Sequence, residues 1–551
     1  MVVLRVALLL GALAATVLPA AAATDIGILG TAASNPSASQ ISARLALAEV
    51  RAVEAGLAAA DDRGDAIERI VLEGVRGFYE VRGFEPLWFN AGDVSAQAVT
   101  LRRRMDAADE YGLDPALYAT PHFALRHYYD PGRLAEADVE FSRAVARFVT
   151  HIASGRIRPT DISSLITLEP ERPDVGEALW RLSQEPSVDT LLAGYESQHP
   201  QYRVLKAKLA ELRAIGEKDE RIIVPEGALL KPAMSDERVA LLRERLGVQL
   251  TPESAADLYD DATVAAVEEF QDENGLGVDG IVGPATLLAL NGRSREEDIA
   301  SVIANMERWR WMPRDLGKLH VMVNVPEFLV RVVDDGTVAH ETRVIVGKPR
   351  NPTPTFSHSM SHIIVNPYWN VPVSILRNEM LPEIQANPWG YFRHYGYEVL
   401  ANVGGRMRRI DPAWVDWYRI NPRSVHVRQI PGAHNALGRI KFMFPNQHSV
   451  YLHDTPTKSL FGRDRRAFSH GCVRVQNPLD FADAILPIAA PEWNSSRLER
   501  LYGGKERRVD LANPVPVHLS YFTTTIAADG TLRHFDDLYG YDRKMTEFLG
   551  F

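Results

Sequence analysis

The chain has 551 residues, with 61 Lys and Arg against 71 Asp and Glu and a formal net charge of -10. A hydrophobic fraction of 46% beside 24% charged residues builds sizeable cores, which excludes global disorder, and the length suggests three or four units. The acidic balance gives no support for a nucleic-acid partner, which would need a basic surface.

One cysteine, Cys472, stands in the whole sequence. No internal disulfide can form and no multi-cysteine zinc site can be built, so Cys472 is either a small buried hydrophobe or a reactive thiol. The first residues read MVVLRVALLLGALAATVLPAAAAT, in which Arg5 precedes an apolar run and Ala21 and Ala23 supply an A-x-A cleavage pattern. Residues 1–23 are therefore expected to be a signal peptide, with a retained anchor as the alternative. An exported protein that keeps one unpaired thiol needs a chemical reason for it.

Helical spacing recurs over 40–60, 66–81, 96–110 and 134–152, and residues 24–230 read as an alpha-rich scaffold domain without a catalytic cluster. Phe78, Tyr79 and Trp88 could line a groove there, but packing between helices is the preferred reading. Residues 234–291 form a small helical module: Val264, Val267 and Phe270 share a helical face, and Gly275, Gly277, Gly280 and Gly283 punctuate a turn before a short helix near Leu287. Residues 292–315 read as a helical linker.

From about 316 the pattern changes to short beta-rich runs, among them LHVMVNV, TRVIVG, HIIVNP, SVHVRQ, IKFMFP and SVYLHD. Long helices do not alternate with these strands, which argues against a parallel dinucleotide-binding sheet and for a mixed sandwich or small barrel over 316–551. Residues 376–417 break the rhythm with a short helix and loops rich in Trp and Tyr. A connection of that length is expected to cap something, an independent structural unit being the alternative. Near the end, Asp536, Asp537 and Asp542 lack a calcium-loop pattern and read as a solvated acidic turn.

The string RAFSHGCVRVQNP carries the chemistry. A cysteine that attacks an acyl carbon needs a base, and His453, nineteen positions upstream in VYLHDTP, is the preferred one. His470 lies two residues from the thiol and is the second choice. The amides of Gly471 and Cys472 are plausible oxyanion donors. Ser469 is a turn former that could also hold substrate. Asp454 suggests a triad, yet adjacent strand residues point apart, and a backbone carbonyl could orient His453 instead. Between Pro431 and Asp480, Arg439, Lys441, Lys458, Arg463, Arg465, Arg466 and Arg474 outnumber Asp454, Asp464 and Asp480, a local excess suited to a carboxylate ligand, with Arg474 nearest the nucleophile in sequence. Trp369, Trp389 and Tyr391 are possible cleft walls, Trp389 the least favoured. Asn446 and Asn477 read as turn stabilisers.

Two resemblances sharpen this. The stretch from Ala266 through Phe270, Gln271, Gly275, Leu276, Asp279, Gly280, Gly283 and Thr286 resembles the common peptidoglycan-binding domain, a three-helix unit, with Gly277 departing from its pattern. His453, Ser469 to Cys472, NPYWNVPVSI (366–375), PGAHNALGRIKFMFPN (431–446) and YLHDTP (451–456, with Tyr451) resemble the L,D-transpeptidases, specifically their large periplasmic subgroup. The fold class implied is multidomain: an alpha-rich scaffold, a small three-helix peptidoglycan-binding domain, and a mainly beta catalytic domain with an inserted capping subdomain. The resemblance implies catalysis by Cys472, His453, His470 and Gly471, with substrate held by Arg474, Ser469, Asp454, Trp369 and Tyr451. The reaction implied is release of D-Ala from a tetrapeptide donor through a cysteine thioester, then 3-3 cross-linking to a stem-peptide acceptor, without cofactor or metal. The partners implied are peptidoglycan donor and acceptor peptides and cell-wall synthesis proteins, and the location is the periplasm. A cysteine hydrolase that trims tetrapeptide to tripeptide, attachment of an outer-membrane protein, and a non-enzymatic wall-binding scaffold are the alternatives.

Overall fold

A computed structural model describes residues 37–59, 66–90, 93–120, 131–214, 222–250, 255–274 and 276–551. The expected signal peptide lies outside the described residues, and no described helix is long and apolar enough to cross a membrane.

The scaffold contains α1 (Ala38–Ala59), α2 (Ala66–Val81), a hairpin of β1 (Phe89–Asn90) and β2 (Asp93–Val94), α3 (Ala96–Asp106), α4 (Pro131–Ser154), α5 (Pro159–Ile162), α6 (Val175–Gln184), α7 (Val188–Tyr195) and α8 (Pro200–Ala214). Apolar side chains on several faces of α4, among them Val139, Phe141, Val145 and Phe148, put it at the centre of a core shared with α2, α3 and α6. Tyr79 and Trp88 pack into that core. The buried Asp138 on α4 accepts hydrogen bonds from the Tyr79 hydroxyl and from the Leu87 and Trp88 amides at 3.0 and 2.9 Å, while Trp88 Nε1 donates to Ser142 at 2.7 Å. Satisfying every polar atom there fixes the loop between α2 and α3.

The small module is α9 (Arg238–Leu246), α10 (Asp261–Glu273) and α11 (Pro284–Asn291) around Val239, Leu242, Tyr259, Val267 and Leu290. Its motif residues have an internal task. Gln271, 1% exposed, donates to Asp279 Oδ1, the Ile281 carbonyl and Thr286 Oγ1 and accepts from the Asp279 and Gly280 amides, so one side chain ties the glycine turn to two helices.

The segment expected as a helical linker holds a helix, α12 (Arg295–Trp311), which opens with a capping box of Ser294 and Glu297 and is largely buried. It is buried because Tyr202, Leu205 and Leu209 of α8 cover one side and catalytic-domain residues such as Phe522 cover the other; Trp309 stacks on Phe522 with centroids 4.2 Å apart. Its buried Glu307 pairs with Arg310 at 3.0 Å and accepts the Arg156 and Ile157 amides, while Arg310 reaches the Tyr202 hydroxyl. The part of the scaffold from Ile157 to Leu212 that includes α8 therefore shares a hydrophobic core with the barrel, while the helices around α4 keep their own.

The strands of the beta-rich domain outside the insertion are β3 (Leu319–Asn324), β4 (Leu329–Asp334), β5 (Thr337–Gly347), β6 (Phe356–Val365), β11 (Ile440–Met443), β12 (Leu452–His453), β13 (Ala467–Ser469), β14 (Val473–Val475) and β15 (Arg507–Ser520). They pair in the order β13-β5-β14-β12-β11-β6-β15-β3-β4, and β4 also pairs with β5, which closes the sheet on itself. Of sandwich and barrel, the barrel is what forms. A helix over Pro478–Ala489 packs on it, with Phe481 edge-on to Phe442 at 4.8 Å.

The insertion is wider than 376–417. Its sheet of β7 (Trp369–Asn370), β10 (Val425–Gln429), β8 (Tyr397–Val403) and β9 (Arg406–Ile410) draws its first and last segments from outside that range, and it has its own core of Leu376, Ile384, Phe392, Val399, Trp417 and Val427. Of the tail carboxylates, Asp536 is exposed as expected of a solvated turn, while the other two are engaged within the fold. Asp542 pairs with the buried Arg308 at 2.5 Å, and Asp537 accepts the Tyr521 hydroxyl and the Tyr541 amide at 2.8 Å each.

Candidate active site

Three short strands place the reactive groups. In the parallel pair β12 and β14, Leu452 is opposite Val473 and His453 opposite Arg474; in the antiparallel pair β11 and β12, Phe442 is opposite Leu452 and Lys441 opposite His453. Phe442, Leu452 and Val473 are fully buried in the barrel core, so Lys441, His453 and Arg474 share the other face. One alternation earlier stand Tyr451 and Cys472, linked by the Val473 amide donating to the Tyr451 carbonyl at 3.1 Å.

The half-buried thiol faces the Ser449 carbonyl at 4.0 Å, and the amide and hydroxyl of Tyr451 point at its sulfur. Burial pushes the Cys472 thiol up, and the Tyr451 donors and the charges of Arg474 and Lys441 offset part of that. His453 is 4% exposed, and burial, then the Arg474 cation, bring it down from 6.5 to about 3. Its Nδ1 donates to the Asp454 carbonyl at 2.5 Å, and the Leu437 carbonyl also favours its protonated form. Among the described residues no hydrogen bond joins His453 to Cys472. Both shifts favour a neutral thiol and a neutral imidazole over an ion pair.

The turn before β14 is built around Gly471, whose φ of 114° no side-chain-bearing residue adopts readily. Ser469 Oγ donates to the Cys472 carbonyl at 2.5 Å and accepts the Gly471 amide at 3.1 Å, while Thr353 Oγ1 donates to the Gly471 carbonyl at 2.9 Å. The scaffold braces this region from outside. Ile166 bridges to Thr355 beside β6, and Thr167 Oγ1 bonds His448 Nε2 at 2.9 Å, one residue before Ser449, which is held at a positive φ of 55°.

Three stretches of the chain match known families. Residues 318–509 match the L,D-transpeptidase catalytic domain, residues 235–290 the putative peptidoglycan binding domain, and residues 73–209 the Scaffold domain. The chain carries an L,D-transpeptidase catalytic domain beside a peptidoglycan-binding domain. A putative L,D-transpeptidase of Haemophilus influenzae is 35% identical over 257 residues, which cover 46% of this chain and 50% of that protein, so the chain spans about half the length of this relative. Solved structures found similar include the L,D-transpeptidase from Xylanimonas cellulosilytica, at 16% identity over 54% of this chain and 98% of that one with a TM-score of 0.16. Another is the L,D-transpeptidase from Mycobacterium smegmatis, at 12% identity over 37% and 58% with a TM-score of 0.18.

Within the transpeptidase domain the expected residues divide. Cys472, His453, Tyr451 and Arg474 come together on one face. His470 does not join them; its Nε2 meets Glu379 Oε1 of the insertion at 2.5 Å, so it ties the turn before β14 to the insertion. The Gly471 amide donates to Ser469 Oγ at 3.1 Å, and Ser469, 2% exposed, is enclosed in that turn. Asp454 is a structural carboxylate, since Oδ2 accepts the Arg439 amide at 2.8 Å and Oδ1 takes Lys458 at 2.6 Å. Only its backbone carbonyl serves His453. Trp369 packs against Tyr397, on which Tyr391 also stacks, so both belong to the insertion's aromatic row, and Trp389 is exposed beneath Arg393. Asn446 closes the 446–450 turn through the Phe444 and Val450 carbonyls. Lys441 is one of the seven basic residues between Pro431 and Asp480; the alternation of IKFMF, with Ile440 and Phe442 inward, is the signal for its face. Glu379, Thr353 and Thr167 carried no signal.

Proposed function

We propose that the protein is a periplasmic L,D-transpeptidase that forms 3-3 cross-links in peptidoglycan through a thioester on Cys472. The observation that carries this reading is the grouping of Cys472, Tyr451, His453 and Arg474 on one face of adjacent strands in the matched domain. In the first step the thiol attacks the L,D carbonyl of a tetrapeptide donor as its proton passes to His453, which is neutral and able to accept it. The Asp454 and Leu437 carbonyls stabilise the imidazolium that forms, and the Cys472 amide and Tyr451 hydroxyl face the developing negative charge. Collapse breaks the peptide bond, and the leaving D-Ala amine takes the proton from His453. A stem-peptide amine then attacks the thioester, passing its proton to His453, and the sulfur recovers a proton as it leaves. The peptidoglycan-binding domain would keep the enzyme on its polymer, and cell-wall synthesis proteins are the proposed partners.

Intact-mass measurement with a tetrapeptide donor tests the reading. Cys472 protein should gain the donor mass less D-Ala, and Cys472→Ala should gain nothing. Adding an acceptor stem should convert the adduct to cross-linked dimer. Tripeptide as the sole product would give the trimming hydrolase instead, and an equal adduct on Cys472→Ala would remove the nucleophile assignment.

A further inference from the structure

Several cations that this fold takes out of water are matched by carboxylates. Arg308 meets Asp542, Arg310 meets Glu307, Arg243 meets Asp260 and Arg331 meets Glu327, each within 3.0 Å. That is the expected rule, because a charge with reduced hydration is costly unless paired. Lys441 and Arg474 break it together on one face beside His453, whereas the half-buried Arg466 is met by backbone carbonyls and Arg439 by the Tyr502 ring. Lys441 and Arg474 are both half-buried, and neither makes an ion pair or a side-chain hydrogen bond among the described residues. The contact found for Lys441 is the face of the Tyr451 ring, 5.3 Å from Nζ, and the carboxylate that influences it, Glu506, is exposed and accepts the Tyr368 amide at 2.7 Å. Burial lowers the pKa of both cations, which marks the cost of leaving them unmatched.

Register sets where the missing anion would sit. Lys441 and Arg474 flank His453 on its two neighbouring strands, in one row across the sheet. Cys472 stands two residues before Arg474 on the same face, a displacement of about 7 Å along the strand. A sulfur in attack lies roughly 3 Å from the carbonyl carbon. The carboxylate carbon of the residue that follows this carbonyl is about 3.8 Å farther on. The two steps together reach the cationic row.

We infer that Lys441 and Arg474 form a subsite for the C-terminal carboxylate of the donor peptide, one residue beyond the carbonyl that Cys472 attacks. The inference rests on the proposed reaction at Cys472 and adds what the site measures: that the chain ends one residue after the scissile bond. An amidated or longer donor would leave the two cations unmatched. The bound carboxylate also offsets the two positive charges beside His453, so the imidazolium formed during proton transfer is less disfavoured in the complex than in the free enzyme. Recognition and proton transfer are thereby coupled through the same pair.

The test is calorimetric binding to the full-length Cys472→Ala protein of a tetrapeptide with a free C-terminal acid and of the same peptide as its C-terminal amide. The acid should bind at least about tenfold tighter, as a charge-assisted pair does. Lys441→Gln should erase most of that preference while leaving the amide's affinity unchanged, and Lys441→Arg should restore it. Equal binding of acid and amide, or equal weakening of both by Lys441→Gln, would overturn the subsite. Because this comparison needs no thiol, it separates from the reaction itself: absence of a thioester on the Cys472 protein, with the acid preference intact, would overturn the proposed reaction and leave the subsite standing.

Discussion

The neutral state of His453 sets the pH profile of acylation. A histidine with the ordinary value of 6.5 is only about 3% neutral at pH 5, which would cost roughly 30-fold in rate if it acts as the base. His453, lowered from 6.5 to about 3 by burial and the Arg474 cation, stays neutral across that interval, and the thiol, pushed up by burial, stays protonated. The neutral pair is then the dominant state from pH 5 to 8, and single-turnover thioester formation should vary by less than about twofold over that span. His453→Gln removes the positioned base, so the rate should fall by about 100- to 10,000-fold. The residual reaction, now limited by free thiolate, should climb about tenfold per pH unit. Quenched reactions at four pH values, read by intact mass, give both curves. An acid limb with a midpoint between pH 6 and 7 in the parent, or a flat residual profile in His453→Gln, would refute the neutral-pair mechanism.

The same shift acts on stability: a depressed folded value means that the contribution of His453 is complete above pH 6.5 and is lost as pH falls toward about 3. Between pH 7 and 5 the parent should lose about 2 kcal/mol more than His453→Gln in denaturant unfolding of the catalytic domain, and equal losses would contradict the buried neutral ring. The cap prediction rests on the contact of Glu379 with His470. An exposed pair of this kind is worth about 0.5–1 kcal/mol, so Glu379→Ala should raise the ratio of tripeptide to cross-linked dimer by roughly two- to fivefold as water gains access, and an unchanged ratio with unchanged donor affinity would remove the lid role. Thr167→Val deletes the scaffold's bond to His448, and loosening the turn that carries Ser449 should slow thioester formation several-fold with the melting temperature nearly unchanged; an unaltered rate would make the scaffold contact purely structural.

What the sequence determined by itself was local. The beta-rich alternation after residue 316, the three-helix pattern of 234–291 and the SHGC string each lie within a few residues or a few helical turns, so periodicity and motif spacing expose them without knowledge of distant partners. Even Asp454 was partly legible, because strand alternation turns a side chain next to His453 away from it, and the carboxylate is indeed spent on Arg439 and Lys458. The rest depended on chain segments far apart in sequence. Whether the strands made a sandwich or a barrel was decided by the extra pairing of β4 with β5, a matter of register that no single strand encodes. The segment 292–315 looked like a tether, yet a helix covered on one side by the scaffold and on the other by the barrel has to be core. Glu379 and His470 are 91 residues apart, and Thr167 and His448 are 281 apart. Lys441 gained its meaning only when strand pairing set it beside His453 and Arg474, because the absence of a counter-ion for a half-buried charge is a property of three-dimensional surroundings and leaves no mark on the residues next to it in the chain.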